Sequence, residues 1–168
     1  MKVFLDILVF GAIGVTAFLI YVFYWDSITS FLFEDTTQYT IYIDEAVLSV
    51  TLADSESERK QGLSGVEDLS KFGGKLFIFD DQQRHGIWMK DMLLPIDVMW
   101  FNDSLQLIHI EKEIQPDSYP VVFAPKEKAR FIIEANAHFV DSLKIQLGDR
   151  LSLPPYILPS DIKENLQE

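Results

Sequence analysis

The chain is 168 residues long, carries 26 acidic against 14 basic side chains for a net charge of −12, and contains no cysteine. That length fits one domain of ordinary size with an appendage. The lack of cysteine excludes a disulfide framework, a thiolate zinc site, an iron–sulfur cluster and a cysteine nucleophile. The acidity argues against nucleic acid, because phosphate binding needs clustered Lys and Arg.

The first element is a membrane segment. Ile7–Trp25 is a run of nineteen uncharged residues, sixteen of them apolar. At helical rise it spans about 28 Å, close to the hydrocarbon thickness of a bilayer. Tyr21, Tyr24 and Trp25 stand at one end, where amphipathic rings favour the headgroup layer. A cleaved signal peptide would show a basic leading region, a shorter apolar stretch and a small-residue exit; here the basic region is Lys2 alone and the exit is Tyr24-Trp25-Asp26-Ser27. The reading is an uncleaved anchor over residues 1–25, meeting the bilayer through residues 4–25. Lys2 precedes the span, and no further basic residue appears until Arg59. This asymmetry places the amino terminus in the cytoplasm and the remaining chain outside, in a single-pass cell-membrane protein.

Residues 26–38 read as a tether. Tyr39–Ile43 and Val47–Leu52 are rich in β-branched and aromatic residues and read as strands, with Asp44-Glu45 as a hairpin turn. Ser55-x-x-Glu58 is a capping-box pattern that opens a short helix ending at Gly62. Lys75–Phe79 reads as a strand and Asp80–Arg84 as a polar turn. Ile87–Met89, Ile96–Phe101, Leu105–Ile114 and Ala129–Glu134 are further strands, with a Pro116, Pro120 and Pro125 loop before the last of them. His138–Leu143 reads as a second short helix and Leu151–Leu153 as a final strand. The expected architecture is α+β: a β-rich single domain over residues 39–155, with a curved, mostly antiparallel sheet or small open barrel and two short helices. Residues 156–168 read as a flexible tail.

Few positions carry chemistry. Asp97 lies inside Pro95–Phe101, sharing a face with Met99 and Phe101 by the two-residue period. A carboxylate buried there needs a partner. Arg59, His85 and Lys90 are the candidates by sequence, and backbone N–H groups are the structural alternative. Glu134 ends the apolar run Phe131-Ile132-Ile133, as a strand-end residue facing water or pairing with Arg130, or as a functional acid. His85, His109 and His138 have no metal-ligand spacing, and no metal or cofactor is expected. No nucleophile elbow, P-loop or dinucleotide fingerprint is present.

Several pieces in order resemble one family, the domain of unknown function 192 (DUF192). They are Glu58-Arg59-x-x-Gly62-Leu63, Gly74-x-Leu76-Phe77-x-Phe79, Trp88-Met89-Lys90-Asp91 with Leu94-Pro95-x-Asp97, Ala129-x-Phe131-x-Ile133-Glu134, and Gly148-Asp149. The chain departs from the family pattern at Ser64, at Asp91-Met92 and at Ala137. The resemblance implies a small β-rich domain, often behind a signal or anchor segment, and supplies no activity. Should the segments bearing Arg59, Lys90, Asp97 and Glu134 converge, they form a charged pocket walled by Trp88 and Phe79 that suits a small polar ligand; an internal ion-pair network is the other outcome. The expected function is a membrane-anchored, extracytoplasmic binding or accessory module for envelope components. The alternative is a hydrolase using Asp97 and Glu134 as acid and base, which requires the two carboxylates to stand within about 10 Å across an open cleft.

Overall fold

The computed structural model describes residue 21 and residues 37–165. The expected anchor and most of the tether fall outside the described residues. Among the described residues no helix is long and apolar enough to cross a membrane.

Nine strands form among the described residues, and their bounds follow local sequence closely. β1 (Tyr39–Ile43) and β2 (Ala46–Ala53) make a hairpin through Asp44-Glu45. Asp44 takes a positive φ there, which Asp tolerates better than most residues. The α1 helix (Glu56–Gln61) begins in a complete capping box between Ser55 and Glu58 and stops at Gly62. β3 (Gly73–Gln83) runs through Asp80–Gln83, where a polar turn was expected; a register shift between Ile78 and Gln83 lets its exposed polar end stay paired with β8. β4 (Ile87–Trp88), β5 (Ile96–Phe101) and β6 (Leu107–Ile114) follow. The proline-rich loop contains a single 3-10 turn and a short strand not expected from sequence, β7 (Val122–Phe123), which pairs with β4. β8 (Ala129–Asn136), α2 (Phe139–Leu143) and β9 (Leu151–Ser152) complete the sheet.

Seven strands make one sheet in the order β6-β5-β8-β3-β2-β1-β9. All neighbours are antiparallel except β2 and β3, whose parallel pairing requires the crossover through α1. The ends of the sheet approach each other at one corner. Gln106 bridges Arg150, and the Leu107 N–H donates to the Asp149 carbonyl at 2.9 Å. The sheet is thus curled into a half-barrel.

Its two faces are both buried, and alternation assigns them. Leu76 and Ile78, Met99 and Phe101, Phe131 and Ile133 fill the concave interior with Ile41, Leu48 and Val50. Phe77, Val98, Trp100 and Ile132 face the other way, under Leu63, Ile87, Met89 and Met92 from the crossover and the β3–β5 connection. The second face carries the site.

The tail expected to be flexible includes a further helix, α3 (Ser160–Asn165). Ile162 is 1% exposed and belongs to the interior cluster, while Asp161 forms an ion pair with Arg130. Charge alone marked this segment as mobile; one isoleucine and one ion pair hold it down. Ile162→Ala is expected to cost about 2–4 kcal/mol, read as a lower urea midpoint with an unchanged slope. A midpoint equal to the native one would show that α3 adds nothing to the core.

Candidate functional site

Lys75 and Glu134 are direct cross-strand partners on β3 and β8, and both side chains project to the crossover face. Lys75 is buried and its ammonium donates to the Gly62 carbonyl at 2.9 Å. That bond ties the end of α1 to the sheet. Gly62 holds φ 52 and ψ −130, a backbone conformation that a residue with a Cβ adopts only under strain. A Cβ at this position would stand 3.3 Å from the Phe77 ring and 3.4 Å from Glu134 Oε2. The glycine therefore leaves space beside the carboxyl.

Above these residues lies a cleft of about 400 Å³. Phe77, Phe79, Ile87, Trp88, Met92 and Val122 wall it, Glu134 lies at its floor, and Glu56, Arg59 and Lys60 stand along α1. Trp88 is 48% exposed and meets Tyr119 edge-on with ring centroids 6.4 Å apart. Phe79 stacks on His85 at 3.6 Å and also receives the Arg59 guanidinium 5.2 Å from its centroid. Arg59 further donates to the Ile78 carbonyl at 2.9 Å and to the Asp54 carbonyl. It is a positioned cation rather than a free one. Lys60 is held by Glu56 at 2.6 Å.

Glu134 is the unusual group. It is 3% exposed, and its Oε2 has no hydrogen-bond partner among the described residues. Burial pushes its carboxyl up to about 8, opposed by the Lys75 charge and by the Leu63 backbone N–H. A neutral acid is the cheaper form here, because an ionised carboxylate without full hydrogen bonding is strongly disfavoured in an apolar surrounding. The expected water-facing or Arg130-paired role is thereby corrected: Arg130 bonds the Phe79 carbonyl and Asp161 instead.

Of the five residues expected to converge, three do. Arg59, Trp88 and Glu134 line the cleft. Lys90 is exposed and outside it; only its backbone carbonyl is engaged, accepting from the Ser64 hydroxyl at 2.8 Å. Asp97 is fully buried on the opposite face of the sheet. Its register partner is Ala135, whereas Glu134 pairs with Val98, so alternation sends the two carboxylates to different sides. Asp97 accepts from the Glu113 N–H at 2.8 Å and the Val140 N–H at 2.9 Å. It needs none of Arg59, His85 or Lys90. Asp97 is a structural clamp, and the paired-carboxylate arrangement of the hydrolase alternative does not form. Sequence reasoning missed Lys75 and Gly62. A lysine in phase with Phe77 and Phe79 was the available signal for the first. Among the described residues no group of three acidic or histidine side chains could hold a metal ion.

The fold and the cleft define a class: a small curled β domain with an apolar-walled cleft over a buried carboxyl. The chain belongs to the DUF192 family, described as "Uncharacterized ACR", whose family model matches residues 39–153. No curated protein matches it. Among solved structures, a protein of Sinorhizobium meliloti provisionally described as a transcription regulator superposes with a TM-score of 0.66 at 27% identity, covering 70% of this chain and 94% of that one. A protein of unknown function from Novosphingobium aromaticivorans superposes with a TM-score of 0.66 at 18% identity, covering 68% of this chain and 84% of that one. The second likeness is one of fold alone.

Proposed function

We propose that this protein is a single-pass, membrane-anchored binding or accessory module whose domain lies outside the cell membrane and takes a small polar, ring-containing ligand in the cleft around Trp88, Arg59 and Glu134. One observation carries the binding role. An unpartnered buried carboxyl oxygen lies at the floor of a cleft with a half-exposed tryptophan at its wall. Binding sites combine mostly apolar walls with a few placed polar groups, in volumes from about 300 Å³ upward. A component of the cell envelope, such as a saccharide, suits an aromatic wall and a hydrogen-bonding floor. The anchor and orientation rest on the apolar run Ile7–Trp25 and on Lys2 as the only basic residue before Arg59.

The regulator description of the Sinorhizobium protein does not suit a chain of net charge −12, because binding duplex phosphates requires clustered cations. A hydrolase would need a second acid in place of Asp97. Thermal-shift screening of the full chain in detergent micelles against a panel of mono- and disaccharides tests the binding role. A hit is expected to weaken three- to tenfold in Trp88→Ala, the worth of one aromatic contact. A hit indifferent to Trp88→Ala would place the site elsewhere. Digestion of the domain by protease added outside intact spheroplasts checks the orientation; full protection would overturn it.

A further inference from the structure

We infer that the cleft selects ligands ending in a hydrogen-bond acceptor, a carbonyl or carboxylate oxygen on an apolar or aromatic body, and that the Glu134 carboxyl donates a proton in hydrogen bonding to that oxygen. This rests on reading the cleft as a binding site and adds the chemistry of what enters it.

Three observations point the same way. First, the carboxyl is short of partners. Oε2 has no partner among the described residues, while the Leu63 backbone N–H acts on the carboxyl as a whole. A protonated carboxyl so placed has a hydrogen to donate and lies beside the space left by Gly62. Second, the surrounding charges favour electron-rich atoms. Lys75 from β3 lies beneath the cleft and Arg59 lines it from α1 with the exposed Asp80 carboxylate 3.9 Å away, while Lys60 and Glu56 on the same helix pair with each other. In a chain of net charge −12, this is a locally cationic place. A ligand ammonium would meet these like charges and would have to ionise Glu134 against its burial; a ligand oxygen meets a donor and a favourable field. Third, the walls are Phe77, Phe79, Ile87, Trp88, Met92 and Val122, which accept an apolar or ring body and offer it no charge.

The test uses two permanent probes of similar size on the full chain in detergent micelles. N,N-dimethylbenzamide carries an acceptor and no N–H donor. Benzylguanidinium carries donors and a fixed positive charge. Affinities are read by saturation-transfer NMR and tryptophan fluorescence at pH 6 and pH 9. The amide is expected to bind at pH 6 and to weaken about tenfold at pH 9, where most of the Glu134 carboxyl, lifted to about 8, has lost its proton. In Glu134→Gln the side-chain amide is a donor that does not titrate, so the difference between pH 6 and pH 9 is expected to disappear. The native pH pair carries the test even without the variant. Amide binding that does not change between pH 6 and pH 9 overturns the inference. Preferred binding of benzylguanidinium, strengthening with pH, also overturns it while leaving the cleft as a binding site. Failure of both probes at both pH values overturns the cleft reading itself.

Discussion

Glu134→Gln is expected to make the domain more stable than the native protein above neutral pH, and to flatten its stability between about pH 5 and pH 8. The ordinary glutamate value is about 4.3, and burial raises the folded-state carboxyl to about 8. Between those values the folded state holds a proton that the unfolded chain releases. The contribution is therefore fully present below about pH 4.3, declines as pH rises, and is gone above about pH 8. Each pH unit in that window is worth about 1.4 kcal/mol, so the full loss is of order 3–5 kcal/mol. Glutamine has the same shape and no proton to lose. The measurement is a pair of urea-denaturation series from pH 5 to pH 9. The difference between the two proteins isolates position 134 from the other carboxylates, which act on both alike. Parallel curves would mean that Glu134 is hydrated or fully paired in solution. The same outcome would remove the physical basis for a donor at the cleft floor.

Asp97→Ala is expected to destabilise the domain by about 3–5 kcal/mol without a specific effect on the cleft. The carboxylate accepts two backbone N–H groups that no secondary structure satisfies, those of Glu113 and Val140. Glu113 sits at a positive φ where β6 departs from regular pairing with β5, and Val140 lies in the first turn of α2. Removing the acceptor strands a buried donor at Val140 and a part-buried one at Glu113, at about 1–3 kcal/mol each, and leaves a cavity. Asp97→Asn keeps one acceptor but turns an N–H toward the other donor, so it is expected to recover part of the loss. Urea unfolding gives the stability, and probe binding by the folded fraction gives the cleft. Loss of binding in a fully folded Asp97→Asn protein would return Asp97 to the site.

Much of the fold is legible in the sequence because it is encoded locally. The strand bounds at Tyr39–Ile43 and Ile96–Phe101 and the Ser55–Glu58 cap follow from residue type and short-range spacing. β7 is not legible: Val122-Phe123 is too short and too close to prolines to signal a strand, and exists because β4 pairs with it. The exposed end of β3 reads as a turn by composition and is a strand by pairing. α3 reads as a mobile tail because its composition is charged, yet Ile162 and the Asp161–Arg130 ion pair hold it to the domain.

The candidate site divides in the same way. Arg59, Trp88 and Glu134 are recognisable as unusual residues in their segments, and the family resemblance places them in order. The sequence determines that the chain is two materials joined at Trp25, an apolar run and an acidic domain that carries the whole net charge of −12 since Lys2 and Asp6 cancel. It also determines that a carboxylate inside β5 must find partners. Only the tertiary structure decides which carboxyl is clamped and which is buried, short of a partner, at the floor of the cleft. Asp97 and Glu134 both sit in central strands of similar apolarity, but pairing of β5 with β8 sends them to opposite faces. One face meets orphan N–H groups. The other meets a glycine, a lysine already committed to a backbone carbonyl, and the floor of a cleft. Burial strengthens whichever polar contacts exist and penalises those that do not, so long-range register fixes what the local pattern leaves equal.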